Sequence, residues 1–194
     1  GGAGGGASGL SCAPWQAPPA TPVCGCASPG RAQCLSDVVP GLPVARSDTP
    51  FAGYGAATLE SAYKLPIAQG GGQTIAIVDA FDDPTAASDL ATYRHANGLA
   101  PCTTSDGCFR KLNENGVAGH YPTSDPGWGI EISLDLDMVS AACPRCHIVL
   151  VEGSTSLLLD LAISENTAAG LGVAAVSTRY GPPEVHGMQQ LERY

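Results

Sequence analysis

Gln73-Thr74-Ile75-Ala76-Ile77-Val78-Asp79 is a continuous apolar run closed by an acid. Strands that read this way are buried on both faces, as in parallel sheets covered by helices. The glycines Gly70-Gly71-Gly72 stand before the strand. A phosphate-cradling loop would follow the strand and open a helix, so this is not a P-loop. Asp83-Pro84 then predicts a helix start, with Asp as N-cap and Pro at the first helical position. That helix runs through Leu90 and Tyr93 and stops near Asn97-Gly98. A second buried strand is expected at His147-Ile148-Val149-Leu150-Val151-Glu152, a helix from Leu157 to Ala169, and a third strand at Val173-Ala174-Ala175-Val176-Ser177. Thr58 to Tyr63 forms a short helical turn before them, ended by Lys64-Leu65-Pro66. Strand and helix in alternation predict an α/β fold with a parallel sheet and right-handed crossovers. Catalytic groups on such a sheet gather at the carboxyl ends of its strands.

Between the first two strands lies Gly127-Trp128-Gly129-Ile130-Glu131-Ile132-Ser133-Leu134-Asp135-Leu136-Asp137-Met138, which reads as a helix. At about 100° per residue, Glu131 and Asp135 return to nearly the same side. On that wheel Ile132, Leu134, Leu136, Met138, Val139 and Ala142 form a wide apolar face, and both acids fall inside it. Ser133, Asp137 and Ser140 define a polar face. Carboxylates aimed into a protein are costly unless paired or used. Two readings follow: a buried acid pair satisfied by amides or an Arg, or a proton relay serving a hydroxyl nucleophile as base and orienting partner. Carboxylates ionise at low pH, so a relay of this kind suits acidic conditions.

The 194 residues suffice for one medium domain plus a tail. A net charge of −9 with no basic cluster argues against a nucleic-acid partner. No apolar run reaches the roughly 18 residues of a membrane span. Eight cysteines point to an oxidising compartment, hence a secreted, extracellular protein. Without an initiator Met or signal-peptide pattern, the sequence reads as a piece of a longer product. Residues 1–55, rich in Gly, Pro, Ala and Ser, read as a linker or arm, and residues 56–194 as the folded portion. Cys12, Cys24, Cys26 and Cys34 of the arm allow three disulfide pairings, and their spacing fits no standard zinc pair.

Other motifs have plainer readings beside the sharper ones. Asp79 reads first as support for the following turn, with an active-site acid as the second reading. Cys102 and Cys108 bracket a short loop that suits a local disulfide. Cys143-Pro144-Arg145-Cys146-His147 spells a c-type haem attachment motif, but an apolar strand opens at His147, and a disulfide or a thiol pair at a turn fits better. His120 and His186 read as loop histidines, and Ser154 or Ser156 as a cap on the next helix.

From Cys34 to Gly181 the sequence resembles the sedolisin, or serine-carboxyl, peptidases. The likeness rests on Tyr54-Gly55 through Ala62-Tyr63-Lys64-Leu65-Pro66, on Gln73 through Pro84, and on Cys102-Thr103-Thr104 through Gly107-Cys108-Phe109. It continues in Gly127-Trp128 with Glu131-Ile132-Ser133-Leu134-Asp135, and in Cys143-Pro144 through Leu150-Val151-Glu152. The resemblance implies a subtilisin-like fold with helices on both faces of the sheet and a Ser-Glu-Asp triad acting on a peptide or protein substrate. It also implies an oxyanion Asp and a calcium ion near the carboxyl-terminal end. Glu131 matches the family's general base and Asp135 the acid that orients it. Ser177, Tyr180 and Gly181 match its substrate-binding strand, with Arg179 where a second Ser is usual. The Gly-Thr-Ser nucleophile motif is absent, so the chain reads as a domain truncated after its third strand, with no metal site of its own and inactive by itself. Such a cut predicts an open sheet edge and poor solubility. The alternative is a catalytically dead, secreted binding module on the same scaffold.

Overall fold

The computed structural model describes residues 20–40 and 54–182. Three two-residue strands lie in the arm: β1 (Thr21–Pro22), β2 (Gln33–Cys34) and β3 (Asp37–Val38). The folded portion runs α1 (Ala56–Tyr63), β4 (Thr74–Ala80), α2 (Ala86–Ala96), β5 (Phe109–Asn113), α3 (Pro126–Ala142), β6 (His147–Gly153), α4 (Leu158–Gly170), β7 (Ala175–Thr178) and β8 (Tyr180–Gly181). Strands β4 to β7 form one four-stranded sheet in the order β5-β6-β4-β7, and every neighbouring pair is parallel. The protein is therefore α/β, as the alternation predicts.

Both faces of the sheet are covered. Ile77, Ile148, Leu150 and Phe109 pack with Leu90 of α2 and with Ile132 and Leu136 of α3 on one face. Ala76, Val78, Val149 and Val151 pack with Leu161 and Ala168 of α4 on the other. Side chains alternate along a strand, so Asp79 and Glu152, two residues beyond Ile77 and Leu150, face the α2/α3 side. The helix after β4 lies on that side and the helix after β6 on the opposite one. The crevice between the carboxyl ends of these adjacent strands is thus a topological switch point, the usual place for a site in an open α/β sheet. Asp79 and Glu152 are register partners there.

Four expectations change. Strand β5 has no counterpart in the sequence reading, because Arg110 and Lys111 interrupt its apolar residues. It tolerates them as an edge strand, paired only with β6. β7 starts at Ala175 rather than Val173 and is not buried: Ala175, Val176 and Thr178 are exposed. The helix after β4 starts at Ala86, and Asp83 does not cap it; its Oδ1 accepts from the amide and hydroxyl of Thr85 in the preceding turn (2.9 Å each). The N-cap of α4 is Leu157, with no side-chain cap, rather than Ser154 or Ser156. Thr155 Oγ1 accepts from Leu157 N at 3.0 Å and donates to Asp160.

Disulfides join Cys24 to Cys34, Cys102 to Cys108 and Cys143 to Cys146. Cys26 is also disulfide-bonded, while Cys12 lies outside the described residues. The Cys143–Cys146 bridge explains one of the glycines before β4. A Cβ on Gly70 would sit 2.4 Å from Cys143 Sγ, and its φ of +82° already favours glycine. With both sulfurs bonded to each other, the C-x-x-C-H sequence is a turn staple, not a haem attachment. Among the described residues no helix is long and apolar enough to cross a membrane.

Candidate active site

Helix α3 delivers the two acids that the helical wheel turns inward. Asp125 caps it, its Oδ1 accepting from Gly127 N (2.9 Å) and Trp128 N (3.0 Å), and Pro126 follows at the first turn, where its missing N–H costs nothing. The capped helix carries Glu131 and Asp135, one turn apart, into the protein, with side chains 0% and 3% exposed. Glu131 Oε2 accepts a hydrogen bond from the backbone amide of Ser36 at 2.7 Å. Glu131 Oε1 and Asp135 Oδ2 accept none among the described residues. Arg179, just past β7, reaches toward both: its Nε is 4.0 Å from Glu131 Oε1 and its Nη1 3.7 Å from Asp135 Oδ1. Its side chain is 42% exposed, so the guanidinium offers partial and screened compensation.

Asp79 is the third acid of this group. It is fully buried, and neither carboxylate oxygen is hydrogen-bonded among the described residues. Burial raises its pKa well above the usual carboxylate range, and the charges of Asp135, Glu131 and Glu152 raise it further, against the opposing charge of Arg179. Burial and then Glu131 likewise push Asp135 up to about 7, with Arg179 opposing. Asp79 and Asp135 therefore both favour their protonated forms beyond the usual carboxylate range. The expectation that Asp79 supports the following turn is corrected. The turn is held instead by backbone bonds, Phe81 N to Gly153 O at 2.8 Å and Asp82 N to Thr123 O at 3.2 Å. Phe81 sits there at φ +65°, a left-handed conformation that costs a bulky residue about 1–3 kcal/mol.

Beside this group lies a second acidic cluster of a different kind. Lys111 of β5 pairs with Asp82 and, at 3.2 Å, with Glu152 Oε1, and also donates to Asp83 O at 2.7 Å. Glu152 Oε1 accepts from Asp83 N at 3.0 Å as well. Burial still lifts Glu152 to about 8, with the Asp83 amide and Lys111 acting the other way.

The polar face assigned to α3 is only partly solvated. Ser140 is fully buried and accepts from Arg94 Nη1 of α2 at 2.6 Å. Asp137 is half-buried, and burial, with the charge of Asp89 adding to it, raises it to about 8. Helix packing on that side, invisible to a single-helix wheel, accounts for both.

The three substrate-strand residues have separate placements. Ser177 lies on β7 beside Ile77. Tyr180 and Gly181 form β8 and pair antiparallel with Cys34 and Gln33 of the arm. The Tyr180 ring also lies 6.0 Å from that of Trp128, and its hydroxyl donates to Glu165 at 2.7 Å. His120 is an exposed loop residue, and His186 lies outside the described residues.

A cleft of about 420 Å³ opens beside α3, lined by Asp82, Asp83, Asp89, Asp125, Ile130 and Ser133 among others. Ser133 is about 200° around the helix from Glu131, so this cleft is not the acid site. Its four acids already have partners: Lys111 for Asp82, Thr85 for Asp83 and Asp89, and the α3 amides for Asp125. Among the described residues no group of three or more His, Cys, Asp or Glu is arranged to hold a metal ion.

Sequence reasoning found Glu131 and Asp135 through their wheel positions. It had no local signal for the place of Asp79 beside them, and it treated Arg179 only as a departure from a pattern. The Ser36 amide carried no signal, since a backbone donor has no sequence signature. No family model matches the chain, and neither does any curated protein or solved structure.

Proposed function

We propose that this chain carries the acid half of a serine-carboxyl, sedolisin-type endopeptidase site on a subtilisin-like sheet. One observation carries the reading. Glu131 and Asp135 are buried one turn apart at the sheet's switch point, and each keeps an oxygen with no hydrogen bond among the described residues. A structural pair would be expected to satisfy those oxygens.

In this mechanism Glu131 takes the proton of a serine hydroxyl as it attacks a peptide carbonyl. Asp135 holds and orients Glu131, and Asp79 lies behind both as a further proton-holding carboxyl. Gly-Thr-Ser does not occur in the 194 residues, and no described serine hydroxyl bonds to Glu131. The nucleophile and the oxyanion Asp therefore belong, in this proposal, to sequence outside these residues. The disulfides of the described residues support an oxidising, extracellular setting.

The test is peptide hydrolysis at acidic pH by the gene product that includes these residues, as wild type and as Glu131→Gln. The expected loss is about 10³-fold or more, the scale for removing a triad member. An unchanged rate sinks the proposal.

A second reading, a catalytically dead binding module, draws on a different observation. The Arg179 guanidinium and the Ser36 amide already engage the acids that would do the chemistry. Wild-type gene product that binds peptide but never cleaves it would favour this reading.

A further inference from the structure

Cys143 and Cys146 stand 3 positions apart in the chain, against 6 for Cys102 and Cys108 and 10 for Cys24 and Cys34. A disulfide stabilises mainly by restricting the unfolded chain, and it restricts less the shorter the loop it closes. The Cys143–Cys146 bridge is therefore the least stabilising of these three. Its turn is also held without it. Cys143 N donates to Val139 O at 2.9 Å, Cys146 N to Cys143 O at 3.0 Å and His147 N to Gln73 O at 2.8 Å. Arg94, only 1% exposed, donates from Nη2 to Pro144 O at 2.8 Å and from Nη1 to Ser140 Oγ at 2.6 Å. Opening the bridge should leave both sulfurs in place, ready to close again.

The two cysteines differ in access and in electrostatics. Cys143, the C-cap of α3, is half-buried, while Cys146 is 2% exposed. An incoming thiolate therefore reaches Cys143, and Cys146 is the sulfur that leaves. The carbonyl end of α3 disfavours negative charge on Cys143, which again makes Cys146 the better leaving group. Between them stands the exposed Arg145, whose Nη1 donates to Ala68 O at 2.7 Å and whose guanidinium lies along Gly71. The next glycine, Gly70, touches both sulfurs, so the cation lies one residue from them. A neighbouring guanidinium favours a thiolate over a thiol. Gly70 O, 3.6 Å from Cys146 Sγ, is an acceptor for the S–H that follows.

We propose that Cys143–Cys146 is a thiol–disulfide exchange site that takes a dithiol as its substrate at Cys143, while Cys102–Cys108 and Cys24–Cys34 are structural. One thiolate of the dithiol bonds to Cys143 Sγ, the Cys143–Cys146 bond breaks, and its electron pair goes to Cys146 Sγ, which takes up a proton. The second thiolate of the dithiol then attacks its own sulfur in the mixed disulfide and releases Cys143, which is protonated in turn. Two electrons and two protons pass to the cysteine pair, and the dithiol leaves as a disulfide. The site is independent of the peptidase reading, since it lies at the opposite end of β6 from Glu152.

The test is a redox titration of the full wild-type chain in mixtures of reduced and oxidised dithiothreitol, with thiols trapped by alkylation and located by peptide mass. Cys143 and Cys146 should label together at a reduced-to-oxidised ratio about tenfold or more below that needed for the other two bridges. The chain should keep its cooperative melt at that point. Opening of Cys102–Cys108 or Cys24–Cys34 at the same ratio or a lower one overturns the proposal, and so does loss of the melt when Cys143–Cys146 opens. A reduced C-x-x-C protein run in parallel separates the sources of the dithiol. Faster opening by it than by dithiothreitol at equal concentration marks a protein partner, the reverse marks a small molecule, and failure of both to open the bridge overturns the site. The direction of attack is read from Cys146→Ser and Cys143→Ser with an aromatic disulfide reagent. The thiol left at Cys143 should react about tenfold or more faster than the one left at Cys146. Equal rates would overturn Cys143 as the point of attack, and if either variant fails to fold the wild-type titration decides.

Discussion

Two acidic clusters sit side by side at the carboxyl end of the same sheet, and they are built in opposite ways. Glu152, Asp82 and Asp83 surround Lys111, a mostly buried cation within bonding distance of three acceptors. Asp79, Glu131 and Asp135 have the Ser36 amide on Glu131 and, as cation among the described residues, the half-exposed Arg179, no closer than 3.7 Å; four of their six oxygens accept no hydrogen bond there, against one, Glu152 Oε2, in the lysine cluster. The first arrangement holds β5 and the β4 turn to the sheet. The second is poorly satisfied for a purely structural one, and buried polar groups left unsatisfied tend to mark function.

The sharpest way to break this comparison is Lys111→Met. It leaves Glu152 buried without its cation, and removing one partner of a buried pair costs about 3 kcal/mol or more. Urea unfolding at pH 7 measures it. A loss under about 1 kcal/mol would mean the lysine cluster is no more structural than its neighbour.

Both clusters should lose stability as pH rises, since burial also lifts Glu152 to about 8, but in the Asp79 group two carboxyls carry the effect. Asp79 and Asp135 have folded-state pKa values above their unfolded ones, so the folded chain binds more protons in that range. Their contribution is fully present below about pH 4 and is lost as pH rises to about 7, the value for Asp135, and beyond for Asp79. Unfolding free energy should therefore fall between pH 4.5 and pH 8, with Asp135 alone contributing about 3 kcal/mol at about 1.4 kcal/mol per pH unit up to its value of about 7. Asp79→Asn should flatten that slope and make the chain more stable at pH 8. A variant destabilised equally at both pH values would return Asp79 to a structural role.

Arg179→Ser should have the smallest effect. Removing the cation raises the Asp135 midpoint above its value of about 7, because Arg179 opposes burial and Glu131 there. An exposed, distant guanidinium should move it by less than about one pH unit. Carbon-13 NMR titration of the carboxyl groups reads this in the isolated chain. A drop in the midpoint would show that Arg179 does not face these acids.

Much of the fold is legible in the sequence because its signals are local. The apolar runs at Ile75 and Ile148 mark elements that need no partner to be recognised. β5 is not legible, since its pattern of Phe109, Leu112 and two adjacent cations makes sense only at an edge beside β6. Of the site, the wheel finds Glu131 and Asp135 and misjudges Asp137, because one helix cannot report what packs on its other side.

By itself the sequence determines an α/β protein with a helix that turns two acids inward, and a loop short enough to close its own disulfide. These follow from periodicity and loop length, both written within a few residues. Only the tertiary structure brings Asp79 and Arg179 to those acids and lays Ser36 on Glu131, 95 positions away in the chain. Such meetings depend on strand order, register and the path of the arm, which no local pattern encodes.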